Sequence, residues 1–123
     1  DDVGQYTIKF KVTAVGDDVY LGTTVTQGIT YTVDIAGTAT STGLSAVVVN
    51  NTDTDVTSQG NYLIEEGQSE TFTLTITKAA GAAGLSRASL TGVKWDTDGS
   101  NTTMSNTYSS NLDEFKTDYI SLN

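Results

Sequence analysis

The sequence predicts an all-β protein, a single antiparallel β-sandwich of immunoglobulin-like type with about seven or eight short strands. Three observations carry this. Between residues 71 and 77, Phe72, Leu74 and Ile76 alternate with Thr71, Thr73, Thr75 and Thr77. That period of two puts the apolar set on one face of a strand and the threonines on the other. Residues 6–15 repeat the pattern, with Tyr6, Ile8, Phe10, Val12 and Ala14 against Thr7, Lys9, Lys11 and Thr13. Between such runs, polar clusters bearing Gly recur at nearly regular spacing, as the turns of a sandwich do. A closed barrel is the alternative arrangement of the same strands.

Taken in order, residues 6–15 form a long strand whose five apolar residues specify its register, and Gly16-Asp17-Asp18 is a turn. Residues 19–25 form a weaker strand interrupted at Gly22, where a bulge or bend is expected. Ile29, Tyr31, Val33 and Ile35 alternate with Thr30, Thr32 and Asp34 in a third strand. Residues 37–43, rich in Thr, Ser and Gly, read as a loop. Residues 44–49 are a short apolar run, expected to be buried on both sides or to lie at a sheet seam. Residues 50–60 read as a polar loop, 61–64 as a brief strand, and 65–69 as the turn into the Thr-rich strand. After Thr77, two glycines within residues 78–84 outweigh the alanines and predict a loop. In residues 85–95, Ala88 and Leu90 share one parity and Val93 and Trp95 the other, which a bulge near Gly92 would reconcile. Residues 96–110 are polar without clear periodicity. Residues 111–115 suit one helical turn that brings Leu112 and Phe115 together, and 116–122 form the last strand, with Tyr119 or Ile120 facing in.

Composition narrows the function classes. The 123 residues suffice for one domain with a core, and 23 of them are Thr, a β-branched residue suited to a half-wet pleated face. With no Cys there is no disulfide or thiol chemistry, and with no His the usual general base and commonest metal ligand are missing. A net charge of −9 with only six Lys and Arg disfavours nucleic acid as a partner. No apolar run is long enough for a membrane-spanning helix. The absence of Pro leaves sheet edges open to another chain. The first residue is Asp1 rather than Met, consistent with a removed leader and an extracellular or cell-surface location, or with an excised piece.

Four stretches, FKVTAVGDDVYL (10–21), YLIEEGQSETFTLTIT (62–77), ASLTGVKWDT (88–97) and LDEFKTDYISLN (112–123), occur in this order. Together they resemble a small β-sandwich domain of secreted and surface proteins of candidate phyla radiation bacteria. The resemblance covers most of the chain and implies a sandwich fold outside the cell. It implies no catalytic residues. In that family the domain often ends a longer surface protein, and a chain of this single domain is expected to be a free-standing subunit.

Several residues are candidates for binding. Asp96, Asp98 and Asn101 crowd a polar turn and suggest a calcium site built from loop oxygens, although the spacing is not that of an EF-hand. Asp17, Asp18, Asp53, Asp55, Glu65 and Glu66 are further candidates for such a site at one end of the sandwich. The alternative for all of them is solvated turn carboxylates. Trp95 is the single Trp and offers a stacking platform for sugar, or else a core or interface residue. Lys9 and Lys11 raise the question of a side-chain isopeptide bond, but lie opposite the apolar face, which suits solvated lysines. Asn50-Asn51-Thr52 and Asn101-Thr102-Thr103 match the N-glycosylation pattern. No triad, phosphate loop or tuned carboxylate pair is present, so an enzyme is not expected.

The expected function is a structural subunit of an extracellular filament, pilus-like fibre or surface layer, a homopolymer built by strand addition between neighbours. Residues 1–15 are the first candidate donor, with Tyr6, Ile8, Phe10, Val12 and Ala14 as the assembly residues, and residues 116–123 the second. Equally, residues 6–15 could be an ordinary first strand of their own sandwich. The alternative function is a monomeric carbohydrate- or surface-binding adhesin that works through loop tips around Trp95.

Overall fold

The computed structural model describes residues 2–109 and 111–123, with Thr26 described through its backbone alone. Asp1, the start of the expected assembly segment, and Ser110, the end of the polar stretch after Trp95, lie outside the described residues. The elements are β1 (Gly4–Thr13), β2 (Val19–Gly22), a helical turn α1 (Val25–Gly28), β3 (Ile29–Ile35), β4 (Thr38–Thr40), β5 (Leu44–Asn50), β6 (Asn61–Ile64), β7 (Ser69–Lys78), β8 (Gly84–Asp96), β9 (Asn106–Tyr108) and β10 (Ile120–Leu122).

They form two antiparallel sheets packed face to face as a sandwich. The first has the order β1-β7-β5. β1 and β7, the two strongly alternating segments of the sequence, pair along their full length from Gly4↔Lys78 to Thr13↔Ser69. The second sheet is organised around β8. Val93 pairs with Ile29 and with Tyr108, and Trp95 with Leu21 and with Asn106. β2 and β3 therefore lie end to end along one side of β8, and β9 and β10 along the other. β6 and β4 flank β2 and β3 on the outside.

The core lies between the sheets. Tyr6, Ile8 and Phe10 of β1 and Phe72, Leu74 and Ile76 of β7 meet Leu21, Ile29, Val33, Ala88 and Leu90 of the facing sheet, all buried. Each large side chain here contributes about 1.5–3 kcal/mol through removal of apolar surface from water. Phe10 stacks on Phe72 at 5.4 Å between ring centroids, and Tyr62 meets Phe72 edge-on at 5.6 Å.

Tertiary packing reshapes several expected elements. The strand expected over 19–25 ends at Gly22, and Val25–Gly28 turns helically instead. β2 and β3 share one flank of β8, so the chain between them must loop out, and the turn absorbs it. A Cβ on Gly28 would lie 2.4 Å from the Gly22 carbonyl oxygen, so backbone meets backbone there. The expected loop at 37–43 contains β4, which closes on β3 through Ala36 and Gly37 at φ 51° and 82°. Two positive φ values in a two-residue connection match the twist of a hairpin. β5 is buried on one side only, since Val47 and Val49 are exposed. The bulge expected near Gly92 is present as a register shift opposite Thr30 and Tyr31. In place of a helical turn, residues 112–115 form a reverse turn closed by Phe115 N–H to the Leu112 carbonyl at 3.0 Å. The last strand shrinks to Ile120–Leu122, with Leu122 buried and Tyr119 exposed.

Candidate functional site

The two edges of the first sheet differ. Ala79 N–H donates to the Gly43 carbonyl and Asn51 N–H to that of Thr71. Odd-numbered residues of β7 thus turn their backbone groups toward β5, and even-numbered ones toward β1. Because Tyr6 pairs with Ile76 and Ile8 with Leu74, the even residues of β1 bond to β7. Gln5, Thr7, Lys9, Lys11 and Thr13 turn their N–H and C=O groups outward, to an open edge. By the same phase, Leu44, Ala46 and Val48 of β5 point to the opposite edge. That edge is closed in part. The Tyr62 hydroxyl donates to the Val48 carbonyl at 3.2 Å, and Gly28 of α1 packs beside Val48.

Beside the open edge runs a groove of about 610 Å³. Phe10 and Val12 of β1, Leu21 of β2, Leu90 and Trp95 of β8 and Phe115 are among the residues of its apolar wall, with Lys11 and Asp17 also lining it. The groove exists because β1 and β8 belong to different sheets and diverge here. The 112–115 turn forms its far wall, held to β8 by Leu90 N–H to the Phe115 carbonyl at 2.8 Å. The bulge swings Trp95 into this seam, where it is half-buried. Of the expected assembly residues, Tyr6, Ile8, Phe10 and Ala14 are buried in the chain's own core and Val12 is half-buried. β1 thus completes its own sheet, the second of the two roles open to it from sequence.

Asp96, Asp98 and Asn101 do come together. The Asp96 carboxylate accepts from Asp98 N–H at 3.0 Å, Asn101 Nδ2 at 2.9 Å, and Ser105 N–H and Oγ at 3.1 and 2.7 Å. Led by the Asp98 N–H and the Asn101 amide, these donors hold its pKa well below the usual carboxylate range, against the opposing effect of burial. The Ser100 hydroxyl, followed by its N–H, lowers that of Asp98. Both carboxylates thus take their ligands from the chain's own donors. The Asn101 carbonyl in turn accepts from Asn61 Nδ2 at 2.8 Å, while the buried Asn61 Oδ1 has no hydrogen-bond partner among the described residues.

The remaining acidic candidates divide. Asp18 caps the 65–69 turn by accepting from Glu66 N–H at 2.9 Å. Asp53, Asp55 and Glu65 line an opening of about 420 Å³ on the other flank of β7, together with Glu70. Among the described residues, no three His, Cys, Asp or Glu side chains are grouped to hold a metal. Nor is any helix long and apolar enough to cross a membrane.

Sequence reasoning missed the buried polar residues Asn50, Glu70 and Lys78. Asn50 Nδ2 donates to Glu70, and Lys78 Nζ donates to the Ala79 carbonyl at 2.8 Å. The signal was available. Glu70 and Lys78 share the parity of Phe72, Leu74 and Ile76, so the alternation itself places them on the inner face. Lys9 and Lys11 are exposed.

Comparison with known proteins gives no match to the chain among family profiles, curated proteins or solved structures.

Proposed function

We propose that the chain is a structural subunit of an extracellular or cell-surface assembly, a filament, pilus-like fibre or layer, in which neighbours join by strand addition at β1. One observation carries this: along β1 the outward backbone groups have no ladder partner among the described residues, and an apolar groove runs beside its Phe10–Thr13 end, while the opposite edge of the same sheet is closed in part by Tyr62 and α1. Open edges template pairing with another chain. In strand addition, main-chain bonds supply affinity while pockets between the sheets read alternate side chains. β1 acts here as acceptor rather than donor, because its apolar face already fills its own core.

Light scattering on a sizing column, with negative-stain images of the same fractions, tests the proposal. Large species or fibres are expected, and a clean monomer at every concentration would end it. A second function, a monomeric sugar- or surface-binding adhesin, draws support from Trp95, which lines the same groove half-buried. A glycan array with wild type and Trp95→Ala separates the two, since Trp95-dependent glycan binding by a monomer would favour the adhesin.

A further inference from the structure

We infer that Lys9 and Lys11 beside the open β1 edge receive the acidic stretch around Asp53 and Asp55 of a second copy of this chain through side-chain charge pairs, the N–H groups of Asn51, Thr52, Asp53 and Asp55 being already bonded within their own chain, so that copies join side by side in an open row. The inference rests on the assembly function proposed above and names the contact.

Charge identifies the occupant. Lys9 and Lys11 are exposed on β1, two residues and hence about 7 Å apart. Asp53 and Asp55 have the same two-residue spacing, and residues 51–56 are exposed throughout. No basic residue lines the opening beside them. Two other edge pairings within the chain are weaker. Two β1 edges facing each other would set lysine against lysine, an arrangement that repels and that sheets use to prevent edge pairing. The β5 edge is closed in part by Tyr62 and α1.

Position agrees with charge. Lys11 stands opposite Thr71 on one side of β7, and Asn51 N–H bonds to the Thr71 carbonyl from the other side. Lys11 and Asn51, where the acidic stretch begins, therefore sit at the same height on opposite flanks of the sheet. A copy displaced sideways, with little shift along the strands, brings its 51–56 stretch to its neighbour's Lys11. Val56, exposed and next to Asp55, then lies at the mouth of the apolar groove. The grooved side and the acidic side share no lining residue. The contact joins unlike surfaces and propagates as an open row unless a rotation closes it into a ring.

Charge exchange tests this with the full chain. Lys9→Glu with Lys11→Glu, and Asp53→Lys with Asp55→Lys, alter only exposed side chains, and circular dichroism checks that both variants fold. Sedimentation velocity at low salt is expected to show each variant alone assembling at least 10-fold more weakly than wild type. An equimolar mixture should regain assembly with 1:1 composition, because each reversed surface then meets its complement. If the wild type assembles but the separate variants assemble equally well, or the mixture stays apart, this contact is wrong and the assembly function survives. If the wild type stays monomeric at every salt and protein concentration, both fall.

Discussion

Tyr6 and Ser86 join the two sheets by a hydroxyl pair at 2.5 Å, both residues almost fully buried. Tyr6→Phe would leave the Ser86 hydroxyl without a partner in the core, and urea unfolding is expected to show a loss of about 1–3 kcal/mol. Tyr6→Phe with Ser86→Ala should recover much of that loss, because removing both partners leaves no orphan. Asp96 makes a second testable point. Its folded pKa lies below the ordinary carboxylate value of about 3.9. The stability it supplies is therefore complete above that value and is lost as pH falls through the lower, folded pKa. Amide exchange of Asp98 and Ser105 should stay slow through mildly acidic pH and speed up only at strongly acidic pH. Asp96→Asn should speed it at neutral pH, since a side-chain amide cannot accept from Asn101 and both Ser105 donors as a carboxylate does.

At the scale of elements, the Gly22–Gly28 contact and the β1 edge give opposite expectations for substitution. A Cβ on Gly28 would meet the Gly22 carbonyl oxygen at 2.4 Å. The obstacle is backbone, which yields little, so Gly28→Ala is expected to cost about 1–3 kcal/mol, read as a fall in thermal midpoint. On β1, the phase of the ladder separates two prolines. Ile8 turns its N–H to β7, so Ile8→Pro should break the ladder and unfold the sheet. Thr7 turns its N–H outward, so Thr7→Pro should leave the protein folded while blocking strand addition. Retention of full assembly by folded Thr7→Pro would count against β1 as the acceptor.

For the whole molecule, an assembly guided by Lys9, Lys11, Asp53 and Asp55 must weaken with salt, because the screening length falls from about 10 Å at 0.1 M to 3 Å at 1 M. Light scattering across that range should show species shrinking as salt rises. A size independent of salt would instead place the driving force in the apolar groove. The sandwich itself was legible wherever alternation was strict, in β1, β3 and β7, because one-sided burial writes a period of two into the chain. The bulge in β8 was legible from the parity conflict between Leu90 and Trp95. Illegible were the three-residue strands β4 and β9, too short to show a period, the short bounds of the last strand β10, and the α1 turn, which exists only because β2 and β3 must share one flank of β8. Of the candidate site, Trp95 was visible as an unplaced aromatic, and Asp96, Asp98 and Asn101 as a cluster. That Asp96 is saturated by Ser105, nine residues on, was not visible.

The sequence by itself determined the fold class and the inward face of each long strand, since side-chain alternation is a local property of an extended backbone. It also determined the lack of a catalytic histidine or thiol, a matter of composition alone. Only the tertiary structure decided which edge of the sheet stays open. Strand order sets the phase in which backbone groups point, and a single distant hydroxyl, that of Tyr62, helps to close the other side. The apolar groove was likewise a tertiary outcome, because Phe10, Leu21, Trp95 and Phe115 meet only where two sheets diverge.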